Sequence, residues 1–165
     1  MAGLHRSEVE RAYRAYGYSV QRRARSLLGD VHEASEVVHD VFVSLLEPRP
    51  GFGGRSSLAT YLYAVTTNIC LNKLRDGRNR ERLLALHAGA APSGSSPPRP
   101  DAWVELRRIL VGLPDDEARA AVYHYVDGMS HREVAEMLGC SRRHVGDLLE
   151  RLRARMEERM QEVAR

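Results

Sequence analysis

The sequence predicts an all-α protein made of two small helical domains joined by a flexible linker. Three observations predict it. Apolar residues recur at three- and four-residue spacing in segment after segment, and no convincing alternating run of strand type appears. Residues Gly89 to Pro100, GAAPSGSSPPRP, hold four of the seven prolines. They lack apolar periodicity and read as a tether between folded units. The length, 165 residues, suits one ordinary domain or two small ones. The expected division is 1–88, 89–100 and 101–165.

The elements follow in order. Ser7 is placed to cap a first helix whose apolar positions are Val9, Tyr13, Tyr16, Val20, Ala24, Leu27 and Leu28, and Gly29-Asp30 ends it. A second helix, from about His32 to Leu46, carries Val37, Val38, Val41, Phe42, Leu45 and Leu46. Pro48, Pro50, Gly51, Gly53 and Gly54 then interrupt regular structure. Ser56 and Ser57 can cap a third helix, running through Leu58, Leu62, Val65, Ile69 and Leu74 out into Asp76-Gly77-Arg78. Beyond the tether, Trp103, Leu106, Ile109, Leu110 and Leu113 line a fourth. Pro114 starts a fifth, with Asp115, Asp116 and Glu117 in its first turn, where the helix dipole favours acids, and Gly128 closes it. Ser130 and Glu133 form a capping box for a short helix through Val134, Ala135 and Leu138. Gly139 ends that helix, and Ser141 caps a last one reaching about Met160.

Composition excludes several classes. Hydrophobic residues make up 43%, too many for a wholly disordered chain. No run approaches the ~18–20 apolar residues of a membrane span, and Met1 to Arg11 holds no apolar core of a signal peptide. Cys70 and Cys140 form neither a disulfide framework nor a metal-ligand spacing. Both read as buried reduced thiols in a cytoplasmic protein. The seven histidines show no ligand spacing or nucleophile partner. Hence no cofactor, no metal and no enzymatic activity are expected. Net charge is +3, with 24 of the 25 basic residues arginine and Lys73 the single lysine. Residues 1–90 carry thirteen basic and nine acidic side chains, residues 102–165 eleven and twelve.

His131 to Leu152 has the layout of a helix-turn-helix. Two helices that cross closely need a small residue on the first, which Ala135 supplies. The turn needs a residue tolerant of positive φ, and Gly139 stands four later. Val145, Leu149 and Leu152 anchor the inner face of the second helix. Its first residues then face a major groove: Arg142, Arg143 and His144, with Ser141 before them. A helical hairpin with a solvated arginine face would share much of this pattern. The third helix gives an independent cue. Thr60, Tyr61, Thr67, Asn68, Asn72, Lys73, Arg75 and Arg78 mix stacking, amide and cationic groups, the means of holding unstacked bases over a phosphate track.

This order of parts resembles the extracytoplasmic-function sigma factors of bacterial RNA polymerase, within the sigma-70 family. GDVHEASEVVHDVFVSLL, Gly29 to Leu46, resembles the region 2 segment that docks on polymerase. SSLATYLYAVTTNICLNKLRDGRNR, Ser56 to Arg80, resembles the segment that opens and reads the −10 element. LVGLPDDEARAAVYHYVDGMSHREVAEMLGCSRRHVGDLLERLRARM, Leu110 to Met156, resembles region 4, which reads the −35 element.

The resemblance implies partners and positions. Asp40, Val41, Phe42, Leu45 and Leu46 match the helix that docks on the β′ clamp helices of core polymerase. For Phe42 a place in the core is an equal alternative. Ser56, Ser57, Thr60, Tyr61, Asn68, Asn72, Lys73 and Arg75 fall at or near −10 positions, and Phe52, in Gly51 to Arg55, could stack on a flipped-out base. Ser141, Arg142, Arg143, His144, Asp147 and Arg151 would meet the −35 element. The β flap of polymerase, promoter DNA and an anti-sigma factor are the other implied partners, with no insertion into a membrane. The last helix departs from the family pattern: Gly146 and Leu148 stand where cations are common, and Asp147 adds an anion. Two other functions are consistent with parts of the chain. One is a polymerase-independent helix-turn-helix regulator. The other is a sigma-like decoy that binds polymerase or an anti-sigma factor but little DNA.

Overall fold

The computed structural model describes residues 3–47, 57–88 and 101–163. Among these residues there are seven α-helices, one π-helical turn and no strand. They form two compact units, Met1–Asp101 and Ala102–Arg165. The Gly89 to Pro100 tether, Phe52 and Ser56 lie outside the described residues.

The first unit packs α1 (Arg6–Leu28), α2 (Val31–Ser44) and α3 (Leu58–Ala88) against one another. α1 contributes Ala12, Val20, Ala24, Leu27 and Leu28 to the core, and α2 contributes Ala34, Val37, Val38, Val41 and Phe42, followed by Leu45. α3 contributes Leu62, Thr66, Thr67, Cys70, Leu71 and Leu74. Each fully buried leucine adds roughly 1.5–3 kcal/mol. Two threonines sit in this core without orphaned hydroxyls. Thr66 Oγ1 donates to the Leu62 carbonyl at 2.6 Å and Thr67 Oγ1 to the Tyr63 carbonyl at 2.9 Å. Arg23 of α1 donates to Thr67 Oγ1 at 3.2 Å and lies over the Tyr63 ring, 4.3 Å from its centroid, so one guanidinium ties α1 to α3.

Helix ends follow the punctuation, with two corrections. Gly29 takes φ 67° and its N–H bonds the Arg25 carbonyl at 2.8 Å; Asp30 then caps α2 by accepting from the Glu33 N–H at 2.9 Å. Ser7 is not the first cap. α1 begins at Arg6, and the Glu8 carboxylate accepts from the His5 N–H at 2.8 Å, which puts Ser7 inside the first turn. α3 does not end near Gly77 but continues to Ala88. One glycine inside a helix costs about 1 kcal/mol, too little to stop the Arg- and Leu-rich run after it.

The second unit holds α4 (Asp101–Gly112), α5 (Asp115–Ala121), the π-helical turn Val122–Val126, α6 (His131–Leu138) and α7 (Arg142–Val163). Its core includes Leu110, Ala118, Val122, Tyr123, Val134, Val145, Leu148, Leu149 and Leu152. The π-helical turn closes with the Asp127 N–H on the Val122 carbonyl at 3.0 Å. Glu117 is the exception in this apolar interior. It is 3% exposed, and Arg151 and Arg155 reach it from α7 at 3.2 and 3.3 Å. Arginines one helical turn apart share one face, so a single acid on α5 meets both.

The thiols are not equivalent. Cys70 is fully buried, and desolvation pushes it up to about 12. Cys140 is only half-buried, against the expectation from sequence, because it follows the exposed turn at Gly139. A thiol reagent at mildly alkaline pH should label Cys140 first and Cys70 only on unfolding, which mass spectrometry after timed labelling would show. Glu117→Ala should destabilise the second unit by about 1.5–3 kcal/mol, since it removes charged hydrogen bonds from a buried site. Far-UV circular dichroism of the full chain in a urea titration reads the change.

Candidate nucleic-acid and polymerase interfaces

The helix-turn-helix is built locally. Ser130 Oγ accepts from the Glu133 N–H at 3.4 Å, while the Glu133 carboxylate accepts from the Ser130 N–H at 2.8 Å. The Ser130 hydroxyl and amide hold that carboxyl below the usual carboxylate range. Gly139 takes φ 67° with its N–H on the Ala135 carbonyl, and Ala135 is buried where α6 and α7 meet. Ser141 Oγ then accepts from the His144 N–H at 3.1 Å and starts α7.

α7 begins with an exposed first turn and is anchored from Val145 onward. Val145, Leu148, Leu149 and Leu152 are buried; Ser141, Arg142, Arg143, His144 and Asp147 are exposed. Leu148 needs a correction. The sequence comparison treats it as a lost cation, yet its side chain packs in the core. Arg151 pairs with Glu117 and braces α7, while half of its side chain stays exposed. Arg142 and Arg143 make no side-chain hydrogen bond or ion pair among the described residues.

On α3, Ser57 and Thr60 share a 2.9 Å hydroxyl contact at the helix start, and Ser57 Oγ accepts from the Thr60 N–H at 3.2 Å. Tyr61 is half-buried. Asn68 is half-buried too, and its Oδ1 has no hydrogen-bond partner. Asn72 is exposed and accepts from Arg75 at 3.3 Å. Lys73 is drawn to α2: its Nζ sits 2.8 Å from Glu36 Oε2. That hydrogen bond lowers the Glu36 carboxyl and raises the Lys73 ammonium from their ordinary values.

The expected docking set divides. Val41, Phe42 and Leu45 are buried, so no partner meets them on an intact surface. Phe42 belongs to the core and takes the edge of Tyr13 at 5.1 Å. The outer side of α2 and the residues after it present Glu36, His39, Asp40, Val43, Leu46 and Glu47 instead. Asp40 lies 3.5 Å from His39 Nδ1, and Leu46 is 47% exposed. An apolar groove of about 390 Å³ in the second unit is lined by Leu106, Ile109, Tyr125, Val126, Leu152 and Met156, among others. Sequence reading missed the cross-helix ion pairs of Glu36 and of Glu117. Glu36 and Lys73 are 37 residues apart and carry no local signal. Glu117 does carry one, since it falls on the apolar stripe Leu113, Ala120, Ala121 at three- and four-residue spacing.

Comparison with known proteins decides what this arrangement is. Residues 12–80 match the family described as Sigma-70 region 2, and residues 103–156 match Sigma-70, region 4. The chain belongs to the sigma-70 family. It is an RNA polymerase sigma factor of the extracytoplasmic-function type. It is 25% identical to the RNA polymerase sigma factor YlaC of Bacillus subtilis, over 94% of each chain. It is 27% identical to the ECF RNA polymerase sigma factor SigG of Mycobacterium tuberculosis, over 79% of this chain and 43% of that protein. Its fold is similar to that of CnrH, solved in complex with the cytosolic domain of CnrY, at a TM-score of 0.55 and 20% identity, covering 96% of this chain and 90% of the other. Among the described residues of this sigma factor, no helix is long and apolar enough to cross a membrane.

The Glu36–Lys73 pair has a pH window set by its two shifts. The lowered Glu36 contributes stability above the ordinary glutamate range and loses it as pH falls through the lowered value. The raised Lys73 contributes below the ordinary lysine range and loses it as pH rises through the raised value. Carboxyl-carbon NMR should find the Glu36 midpoint below that of an ordinary glutamate. Lys73→Met should return it to the ordinary range.

Proposed function

We propose that this sigma factor binds core RNA polymerase in the cytoplasm, carries it to promoters with separated −35 and −10 elements, and helps open the −10 region. The observation that supports it most is the exposed first turn of α7. Four apolar side chains from Val145 to Leu152 anchor the helix further along, so Arg142, Arg143 and His144 stand in solvent at the helix start, where a helix-turn-helix meets the major groove. Ser141 and Asp147 flank this tip and share in −35 choice.

For −10 DNA the reading assigns Ser57, Thr60, Tyr61, Asn68, Asn72 and Arg75 of the first unit, with Phe52 and Ser56 in the part implied by the resemblance alone. Asn68 keeps its place in this set by position on α3 alone, since its Oδ1 is buried. Lys73 joins them when Glu36 lets it go. For the β′ clamp helices the reading keeps Asp40 and Leu46, the exposed members of the expected set, and adds Val43. The apolar groove of the second unit suits an apolar helix end, and the β flap is the partner assigned to it. An anti-sigma factor covering these faces is the natural regulator. The protein does no covalent chemistry of its own. The linker sets the effective concentration at which one unit finds its element once the other is bound.

The test is multi-round transcription by purified core polymerase on a genomic fragment library, with and without the full chain. New 5′ ends sharing two upstream elements support the reading. Polymerase binding without new transcripts would replace it with the decoy, a reading that Asp147 on the exposed side of α7 favours. Duplex binding with neither polymerase binding nor transcripts would replace it with the independent regulator. On a promoter so found, Arg142→Ala with Arg143→Ala should reduce the salt slope of holoenzyme binding by roughly 2, at about 0.9 per phosphate contact.

A further inference from the structure

α1 has a second face. Arg11, Arg14, Tyr18, Arg22 and Arg25 recur at three- and four-residue spacing, on the side of the helix opposite the buried Val20, Ala24 and Leu27. All five are exposed, Tyr18 at 77%. At 1.5 Å per residue the stripe is about 21 Å long. It contains no acid. Glu8 is spent on the His5 amide and Glu10 on Arg6 at 3.3 Å. Among the described residues, none of the four arginine side chains has a hydrogen bond or ion pair.

Other arginines of the chain are paired, while Arg78, Arg80 and Arg159 are exposed without a side-chain partner among the described residues. Arg119 pairs with Asp116, Arg132 with Glu136, and Arg151 and Arg155 with Glu117. Arg142 and Arg143, at the tip assigned to DNA, are free like those of α1. Like charges one turn apart repel and weaken a helix, so the stripe is unfavourable until an anion meets it. Tyr18 divides the cations into two pairs. Beside it a groove of about 380 Å³ runs to α2, lined by Tyr13, Arg14, Gly17, Gln21 and Val38. Cations along a track, an exposed ring between them and a groove at its flank fit a backbone whose bases are splayed out. A duplex keeps its bases stacked and would leave the ring and the groove unused.

We propose that this outer face of α1 is a second track for single-stranded DNA, apart from the α3 residues, with the arginine pairs on phosphates and Tyr18 stacked on a base. That the strand is DNA rests on the sigma assignment. The test measures fluorescence anisotropy of the full chain on a mixed-sequence oligonucleotide, single-stranded and as its duplex, over a salt series. The combined Arg11→Gln, Arg14→Gln, Arg22→Gln, Arg25→Gln variant should lower the single-strand salt slope by roughly 3, at about 0.7 per phosphate. Lysine at the same four positions should restore it. Tyr18→Ala should weaken single-strand binding roughly tenfold at unchanged slope, and Tyr18→Phe should bind like the parent. Circular dichroism checks that the variants fold. An unchanged slope would overturn the proposal. So would a loss confined to the duplex with Tyr18→Ala silent, which marks a duplex contact. Intact oligonucleotide binding with weakened core polymerase binding would also overturn it and assign the stripe to an acidic protein surface. The transcription assay with the parent chain is scored separately: no transcripts alongside the expected slope change would sink the sigma reading and leave the strand-binding face.

Discussion

A single buried carboxylate fixes where α7 sits. Glu117 lies in an apolar interior, and leaving it unpaired there would cost several kcal/mol. Arg151 donates to its Oε1 and Arg155 faces its Oε2 at 3.3 Å as an ion pair, from adjacent turns of α7, and each keeps half of its own surface in water. The acid is thus neutralised without burying two guanidinium groups. The contact also sets the rotation of α7 about its axis. Arg151 and Arg155 turn to α5, Val145, Leu148 and Leu149 turn inward, and the first turn with Arg142 and Arg143 lies before this anchored part, in solvent. The same contact serves the stability of the unit and the placing of its exposed tip.

The first unit solves a similar problem differently. Its core takes almost all the large apolar groups of α2, so the surface offered to a partner is mostly polar: Glu36, His39 and Asp40, edged by Val43 and Leu46. Glu36 serves two helices at once, because it lies on the outer side of α2 and holds the one lysine of α3. Whatever engages Glu36 changes the charge available on α3. The exposed pair carries little stability; its consequence lies in where the positive charge sits.

Arginine, abundant throughout, plays two parts that only partners distinguish. Arg23 bridges two helices through a ring and a hydroxyl, and Arg119, Arg151 and Arg155 answer acids. Among the described residues, Arg142 and Arg143, and the four of the α1 stripe, make no side-chain hydrogen bond or ion pair. A guanidinium binds carboxylate and phosphate through the same planar fork.

The sequence by itself determined the helices, their order and most of their ends, because apolar periodicity and capping are local. Gly29, Gly139 and the Ser130–Glu133 box act within a few residues and were legible. So was the helix-turn-helix, whose small, turn and apolar positions fall at fixed offsets, and with it the exposed tip at Arg142. The length of α3 was less legible, since Gly77 signals an end that the following residues override. Tertiary structure decided which members of a set face outward. Val41, Phe42 and Leu45 read as docking residues but are consumed by packing against α1 and α3. Leu148 and Arg151 likewise turn from DNA to the core and to Glu117, and Lys73 turns to Glu36. The physical reason is common to all of them. Whether a side chain is free depends on partners that sequence distance conceals, and burial or pairing is settled only when the helices close on one another.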